Sequence, residues 1–387
     1  MANPLQQLAA LGQSVWLDYI HRDLFDGQLR RLIEQDALTG MTSNPAIFEK
    51  AIDSGHSYDA QILALAHAGK SANDVYEAIS QSDVRQAADA LRPIYERTHA
   101  ADGYVSLEVN PHLARDRAGT IAEARRLWAA LERPNAYIKV PGTAAGLGAI
   151  RQLISEGINV NVTLLFALPR YHEVIDAYVT GLEQRLAAGG SIERVSSVAS
   201  FFISRIDSMV DPLLQARAAA ERDAQARARA ESACGEVAIA CGKLAYNLYR
   251  QSFAQERFRR LAAHGARVQR LLWASTSTKN PQYPDVKYVE ALLGADTIDT
   301  MPLETLEAYR DHGRPQLRIE QNLPAARELF ESLPGLGVDI DQVTRRLEEE
   351  GIDKFIQPFD HLLQQIGARM ASAGGASGAQ RAAPTSR

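Results

Sequence analysis

Short apolar runs that alternate with segments of helical period constrain the fold of this chain more than any other feature. Most runs precede a segment whose apolar residues recur every three or four positions, as at residues 119–131, 144–156 and 168–186. Such alternation is typical of parallel β-structure with crossover helices. Eight units fit a closed (β/α)8 TIM barrel better than an open doubly wound sheet, so we predict an α/β fold of that type. The eight runs are residues 15–20, 38–42, 104–109, 136–140, 158–165, 195–203, 271–275 and 297–301.

Two helical insertions and a set of C-terminal helices are expected around the barrel. The insertions cover about residues 45–103 and 203–269, and the Ala/Arg-rich centre of the second predicts one long solvated helix with an apolar stripe. We predict a single domain over residues 1–372 and a disordered tail at 373–387, which is rich in Gly, Ala and Ser without periodicity. The C-terminal helices, within 303–372, are predicted at residues 303–309, 324–332, 343–350 and 352–369.

The charge balance and the cysteine content exclude several classes of protein. The 387 residues carry 42 Lys and Arg against 47 Asp and Glu, a net charge of −5, which argues against a nucleic-acid partner. No stretch approaches the ~20 apolar residues of a membrane span, and the first residues lack the basic segment and cleavage site of a signal peptide. The two cysteines, Cys234 and Cys241, lie seven apart in a predicted helix and are expected to share a face as buried thiols. We therefore expect a cytoplasmic protein that binds neither nucleic acid nor membrane.

Polar side chains recur with period two in several of the predicted strands. The fifth run reads INVNVTLLF, which places Asn159, Asn161 and Thr163 on one face. A buried parallel strand is normally a continuous apolar run, and buried polar groups are costly unless they are hydrogen-bonded or functional. Both a polar packing network and a functional site would explain the pattern. The same spacing pairs Trp16 with Asp18, Ser106 with Glu108, and Ser200 with Phe202.

A lysine at the end of the fourth predicted strand suggests the chemistry. Lys139, in YIKVPG, is predicted to be buried, and buried lysines are rare unless they are paired. A structural ion pair with Glu108 or Asp18 is one interpretation. The other is a desolvated amine that attacks a ketone and forms a Schiff base, whose iminium lets a neighbouring C–C bond break or form. The same two carboxylates are the candidate acid/base groups for that chemistry.

Other polar residues near predicted strand ends are candidates for substrate binding. Asn44 and Asn161 offer amides for hydroxyl groups. Arg205, just after the sixth run, and Lys279, in the WASTSTKN loop after the seventh, offer cations for a phosphorylated sugar, because barrels of this type often bind phosphate near the last loops. A surface cation that caps a helix is the alternative interpretation of Arg205.

Six segments in order resemble motifs of the transaldolases. They lie between residues 15 and 207, and the 24-residue separation of Lys139 and Thr163 fits that family. The long second insertion, the WASTSTKN loop and the GIDKFIQPFDHLL tail resemble its longer bacterial and plant-type subfamily, without a fused isomerase domain. The six segments are VWLDYI, GMTSNPAIFEKAI, YVSLEVNPHLARD, YIKVPGTAAGLGAI, INVNVTLLFAL and VASFFISRID.

The resemblance implies a barrel enzyme of the pentose phosphate pathway without metal or organic cofactor. It would transfer a dihydroxyacetone unit from sedoheptulose 7-phosphate to glyceraldehyde 3-phosphate, giving erythrose 4-phosphate and fructose 6-phosphate. Carried over to this chain, Lys139 is the Schiff-base lysine, Glu108 and Thr163 handle the catalytic water, and Asp18 takes the proton from the donor hydroxyl. The resemblance also implies a substrate-binding set of Asn44, Asn161, Ser200, Phe202, Arg205, Ser275 and Lys279.

The second phosphate cation departs from the family pattern. Shorter family members have an arginine shortly after Ala-Ser on the seventh strand, whereas this chain has ASTSTK, so the assignment passes to Lys279, two residues further on. A lysine lacks the two-pronged geometry of a guanidinium and would act on phosphate as a point charge.

Two other functions are consistent with parts of the pattern. A fructose-6-phosphate aldolase of the same fold is one, although such relatives tend to have Gln at the position of Glu108 and Tyr at that of Phe202, and are far shorter. A sugar-phosphate-binding protein without activity is the other. None of the nine histidines shows HExxH or similar spacing, so we predict no metal site. We expect a monomer or a homodimer.

Overall fold

Eight parallel strands form a closed barrel in the computed structural model, which describes residues 2–379, with side chains to residue 372. Strand order follows the chain, and the last strand pairs with the first. Each predicted run overlaps one strand, which confirms the predicted TIM barrel. The strands are β1 (Gln13–Asp18), β2 (Leu38–Thr42), β3 (Tyr104–Glu108), β4 (Ala136–Pro141), β5 (Val160–Leu165), β6 (Ser197–Phe202), β7 (Arg270–Ala274) and β8 (Thr297–Met301).

The described part of the chain also contains sixteen α-helices, and between residues 2 and 379 none of them is both long and apolar enough for a bilayer span. They are α1 (Pro4–Ala10), α2 (Gln28–Gln35), α3 (Pro45–Asp53), α4 (Asp59–His67), α5 (Ala72–Arg97), α6 (Arg117–Leu131), α7 (Ala144–Glu156), α8 (Leu168–Ala187), α9 (Ser204–Ala220), α10 (Ala224–Ala233), α11 (Val237–Phe253), α12 (Glu256–Ala262), α13 (Lys287–Ala291), α14 (Leu303–His312), α15 (Leu323–Ser332) and α16 (Ile340–Ala379).

The barrel interior is closed at its amino end and open at its carboxyl end. Every residue of β3, β4, β5 and β6 is buried. At the amino end, Asp102 accepts hydrogen bonds from Trp16 Nε1 at 2.8 Å and from Thr39 Oγ1 at 3.0 Å. These buried polar groups are satisfied by one another and fill the end of the barrel. Space for a ligand therefore remains only at the other end of the barrel, among the described residues.

The second insertion contains four helices, α9 to α12, and the prediction of one long helix at its centre was wrong. The helix stops after α9 because Asp223 accepts the backbone N–H of Ala226 at 2.7 Å, and so caps a new helix. This break also separates the cysteines. Cys234 ends α10, half-buried, whereas Cys241 is buried within α11, so the expected shared helix face does not exist.

The C-terminal region ends in a single helix, α16, where two helices were predicted on either side of Gly351. A Cβ atom added at Gly351 would lie 2.9 Å from Leu164 Cδ2. The glycine therefore allows the helix to pass close to the end of β5 and does not break it. The helix packs against α3, α4 and α5. Of the tail predicted at 373–387, residues 380–387 lie outside the described residues, and the prediction of disorder stays a prediction.

Candidate active site

A cavity of about 490 Å³ opens at the carboxyl ends of the barrel strands, the end at which barrel enzymes carry their active sites. Of the predicted side chains, Glu108 and Asn161 lie behind its wall. The nine that line it are Asp18, Asn44, Lys139, Thr163, Ser200, Phe202, Arg205, Ser275 and Lys279. Residues that are up to 261 positions apart in the sequence thus meet at one site.

Lys139 reaches the cavity from β4 and is almost completely buried, with 4% of its surface exposed. Its Nζ atom lies 3.4 Å from Glu108 Oε2 and donates a hydrogen bond to the Ser43 carbonyl oxygen at 3.2 Å. Glu108 and Lys139 are register partners on β3 and β4, so their side chains lie on the same face of the sheet. The ion pair that the sequence analysis raised as one interpretation of Lys139 is therefore present.

Glu108 is a carboxylic acid in an environment that disfavours its charge. It is 5% exposed, and neither carboxyl oxygen accepts a hydrogen bond from the described residues. Burial raises the pKa of Glu108 to about 7, against the opposing effect of the Lys139 charge. The group can therefore exchange a proton near neutral pH, as a general acid or base must.

Asp18, at the end of β1, provides a second carboxylate in the cavity. The Thr42 hydroxyl donates to Asp18 Oδ1 at 2.6 Å and lies 2.7 Å from Thr300 Oγ1. Burial raises the pKa of Asp18, whereas the positive charges of Lys139 and Arg205 lower it. The hydroxyl from β2 fixes the orientation of one carboxyl oxygen and leaves the other for a ligand.

A chain of hydrogen bonds crosses the neighbouring strands behind the lysine. Ser200 Oγ donates to Asn161 Oδ1 at 2.7 Å, and Asn161 Nδ2 donates to Ser106 Oγ at 3.0 Å. The Thr163 hydroxyl is buried and has no partner among the described residues. Leu164 follows it with φ 60°, where the β5 pairing becomes irregular. An unpartnered hydroxyl in the same cavity as the Lys139 amine is suited to holding a water or a substrate oxygen.

Two asparagines that the sequence analysis singled out, Asn44 and Asn159, have different roles in the structure. Asn44 Oδ1 accepts the Ile47 N–H at 3.0 Å and caps α3, which leaves the Asn44 amide nitrogen for the cavity. Asn159, in contrast, donates to the Pro134 carbonyl at 3.0 Å and accepts from the Ser196 N–H at 2.9 Å. The interpretation as a packing network is therefore correct for Asn159, far from the cavity wall.

The cavity lining also contains cationic side chains. The Arg205 guanidinium lies 5.2 Å from the centre of the Phe202 ring, and one of its terminal nitrogens is buried without a hydrogen-bond partner. Lys279 donates to Ser277 Oγ at 2.6 Å. Burial lowers the pKa of both Arg205 and Lys279, and within residues 2–372 neither side chain is part of an ion pair. Ser275, with φ 57°, lines the cavity between them.

The structure adds cavity residues that the sequence analysis did not assign. Lys50, on α3, and Glu304, on α14, line the mouth, and Phe355 enters from α16. Lys50 belongs to the GMTSNPAIFEKAI segment and lies six residues after Asn44, in the helix that the asparagine caps. Its place in this segment could have indicated that it lines the cavity. Nothing in the sequence of α16 distinguishes Phe355 from a core aromatic residue, since the helix has apolar residues along its buried side.

The arrangement supports addition of an amine to a carbonyl group with proton transfer. It combines a buried amine, a carboxyl group that titrates near neutrality, an oriented second carboxylate, and hydroxyl and amide groups for a polar ligand. In the part of the chain that the structure describes, no group of three or more His, Cys, Asp or Glu side chains is arranged to hold a metal ion.

The amino-acid sequence of the chain is similar to a family model and to named proteins. Residues 15–366 match the family model described as Transaldolase/Fructose-6-phosphate aldolase. The chain is 46% identical to a Trichodesmium erythraeum protein named Transaldolase, over 95% of this chain and 97% of that protein. It is 47% identical to the Transaldolase of a Parafrankia species and 45% identical to that of Thermobifida fusca, each over 96% of this chain and the full length of the relative.

Proposed function

The chain belongs to the transaldolase/fructose-6-phosphate aldolase family and is a Schiff-base-forming transferase with transaldolase activity, and we propose that Lys139 is its nucleophile. Its substrates are sugar phosphates. The observation that carries the residue assignment is the buried pair of Lys139 and Glu108, 3.4 Å apart at the mouth of the barrel. The Glu108 carboxyl group is so placed that it can exchange a proton with an amine that acts as a nucleophile.

The first half-reaction begins when the Lys139 amine adds to the C2 carbonyl of sedoheptulose 7-phosphate. Loss of water from the carbinolamine gives an iminium, and Glu108 supplies and accepts the protons through a water held by the Thr163 hydroxyl. Two observations support this role: the pKa of Glu108 is about 7, and the Thr163 hydroxyl has no partner among the described residues.

Breaking the C3–C4 bond requires removal of the proton from the C4 hydroxyl. We assign this step to Asp18, whose carboxylate is oriented by Thr42 and lies on the cavity wall. The electron pair of the broken bond moves into the iminium and gives an enamine, and erythrose 4-phosphate leaves. The enamine then attacks the aldehyde of glyceraldehyde 3-phosphate, Asp18 returns the proton, and hydrolysis of the new iminium releases fructose 6-phosphate.

Different residues of the cavity bind the dihydroxyacetone unit and the phosphate. We assign the hydroxyl groups to Asn44, Asn161 and Ser200, with Phe202 as an apolar side of the pocket. Asn161 acts from behind the wall through Ser200, to which it is hydrogen-bonded at 2.7 Å.

The phosphate is assigned to Arg205, Ser275 and Lys279, together with Lys50. Three cations that line one cavity without an ion pair among residues 2–372 form an anion site, because like charges converge only where a ligand or solvent compensates them. Burial lowers the pKa of Lys279, and the positive charges of Arg205 and Lys50 lower it further against the opposing effect of Glu304. Two lysines would here take the place of one arginine fork.

Borohydride reduction in the presence of fructose 6-phosphate tests the assignment of the nucleophile. We expect a stable adduct on the peptide that contains Lys139, and neither adduct nor turnover in Lys139→Ala. The control is Lys279→Ala, which retains the Lys139 amine. We expect borohydride to trap the substrate adduct of this variant at saturating substrate. An adduct on Lys50 or Lys279 in the wild-type chain would refute the assignment. A coupled assay for fructose 6-phosphate formation distinguishes transfer from free aldol cleavage.

We also propose the organisation of the whole chain. Residues 1–372 act as one domain, supported by the packing of α16 on α3, α4 and α5, and a single calorimetric unfolding transition would test this. The enzyme is a monomer or a homodimer, since one chain provides every assigned residue, and light scattering measures its mass. A cytoplasmic location agrees with the free cysteines Cys234 and Cys241, as expected in a reducing compartment. Cell fractionation tests that location.

A further inference from the structure

The C-terminal helix α16 reaches the reacting amine itself. Phe355 lies on this helix, is 4% exposed and lines the cavity. The Lys139 Nζ atom lies over its ring, 5.4 Å from the ring centre. The amine is therefore enclosed by Glu108, the Ser43 carbonyl and one aromatic face.

The position of the ring is fixed by how α16 docks on the barrel. Close packing at Gly351, one turn before Phe355, brings the helix against Leu164 at the end of β5. Further along the helix, Arg369 donates to the Ile52 carbonyl and to Asp59 Oδ1, both at 2.6 Å. The helix that carries the ring is thus held on both sides of Phe355.

We propose that Phe355 is a positioning residue that stabilises the cationic iminium on Lys139 through the face of its ring. The proposal rests on Lys139 being the Schiff-base nucleophile, and it makes the C-terminal helix part of the active site.

The physical reason is the charge of the intermediate. An aromatic ring carries negative potential on its face and attracts a cation within about 6 Å of its centre, more strongly when the site excludes water. The iminium is cationic, whereas the carbinolamine before it and the enamine after it are not. The ring therefore favours the iminium over the states on either side of it, and its apolar edge keeps bulk water from the same nitrogen.

Phe355→Leu tests the proposal because leucine keeps an apolar side chain and removes the ring. At subsaturating fructose 6-phosphate, we expect the borohydride-trapped fraction to fall about 5- to 30-fold, the range that desolvated cation–π contacts supply. Phe355→Tyr keeps the ring face and should trap within about twofold of the wild type.

Phe359→Leu is the matched control on the next turn of the same helix. Phe359 is 3% exposed and packs edge-on against Tyr76 at 5.4 Å, but it does not line the cavity. We expect it to lower the melting temperature as much as Phe355→Leu does and to leave trapping unchanged. If Phe355→Leu fails to fold, Phe355→Met gives the same comparison.

The outcomes separate this proposal from the assignment of the nucleophile. Wild-type trapping in Phe355→Leu, or equal losses in Phe355→Leu and Phe359→Leu, would overturn the role of the ring while Lys139→Ala still abolished the adduct. An adduct that survives Lys139→Ala would instead overturn the assignment of the nucleophile, whatever the phenylalanine variants do.

Discussion

Replacement of Glu108 by glutamine should remove the acid limb of the pH–activity profile. The amine must lose its proton to attack the ketone, and the nearest base is the carboxylate 3.4 Å away. Glu108 must therefore be deprotonated for the amine to react. Below the pKa of Glu108, about 7, this carboxylate is protonated, so that the amine has no base.

The magnitude follows from that pKa. For a single titration, kcat/KM in the wild type should fall about tenfold for each pH unit below 7, to about 1% of its plateau at pH 5. Glu108→Gln keeps the shape of the side chain but cannot accept the proton, so we expect a loss of about 10²- to 10⁴-fold at pH 8 and a flat profile between pH 5 and 7. Imine trapping should be slowed but still detectable.

The assay is the coupled measurement of fructose 6-phosphate formation at subsaturating donor, from pH 5 to pH 9, for both proteins. Circular dichroism at each pH serves as a control for folding. A limb near pH 7 that persists in Glu108→Gln would assign the titration to another group. A wild-type limb near pH 4.5, the ordinary value of a glutamate, would contradict the effect of burial on this carboxyl group.

Two further comparisons test the site and the helix that covers it. Lys279→Ala should raise KM for phosphorylated substrates far more than it lowers kcat, because it removes binding common to the ground and transition states, and Lys50→Met should do the same. Unchanged KM in steady-state assays would remove either lysine from the phosphate site. In α16, Gly367→Ala should stabilise the protein by about 0.5–1 kcal/mol, since an added Cβ meets nothing within 4 Å. Gly351→Ala should be at least about 1 kcal/mol less stable than Gly367→Ala in urea unfolding, because its Cβ crowds a buried leucine. Equal effects at the two glycines would contradict the close packing inferred at Gly351.

The barrel and the set of polar residues at one end of it could be predicted from the sequence because both are expressed in local patterns. Strand–helix alternation reveals the architecture, and parallel strands point their carboxyl ends to one edge, so polar residues at strand ends converge. Lys139 and Glu108 illustrate this: each interrupts an apolar strand at its last positions, and the two are register partners in the structure. The similarity of the motifs to one family then assigned the chemistry.

Local patterns were misleading where a single contact decides whether a helix ends or continues. Gly351 has the sequence signature of a helix end, yet it lies inside α16, where an added Cβ would lie 2.9 Å from Leu164 Cδ2. Asp223, in an Ala/Arg-rich stretch with continuous helical period, ends one helix and caps the next. In both cases the continuation or the end of the helix involves close packing or a single hydrogen bond, which the periodicity of apolar residues does not reveal.

The sequence by itself determined the barrel and the convergence of Lys139, Glu108 and Asp18 at one end of it, because each depends on spacing within a strand and on strand order. Only the tertiary structure decided which other groups surround the amine. Phe355 is separated from Lys139 by more than 200 residues, and whether its ring faces the amine or the core depends on how α16 docks. The tertiary structure also determined the pKa of Glu108, since that pKa depends on the exclusion of water by residues from several elements at once.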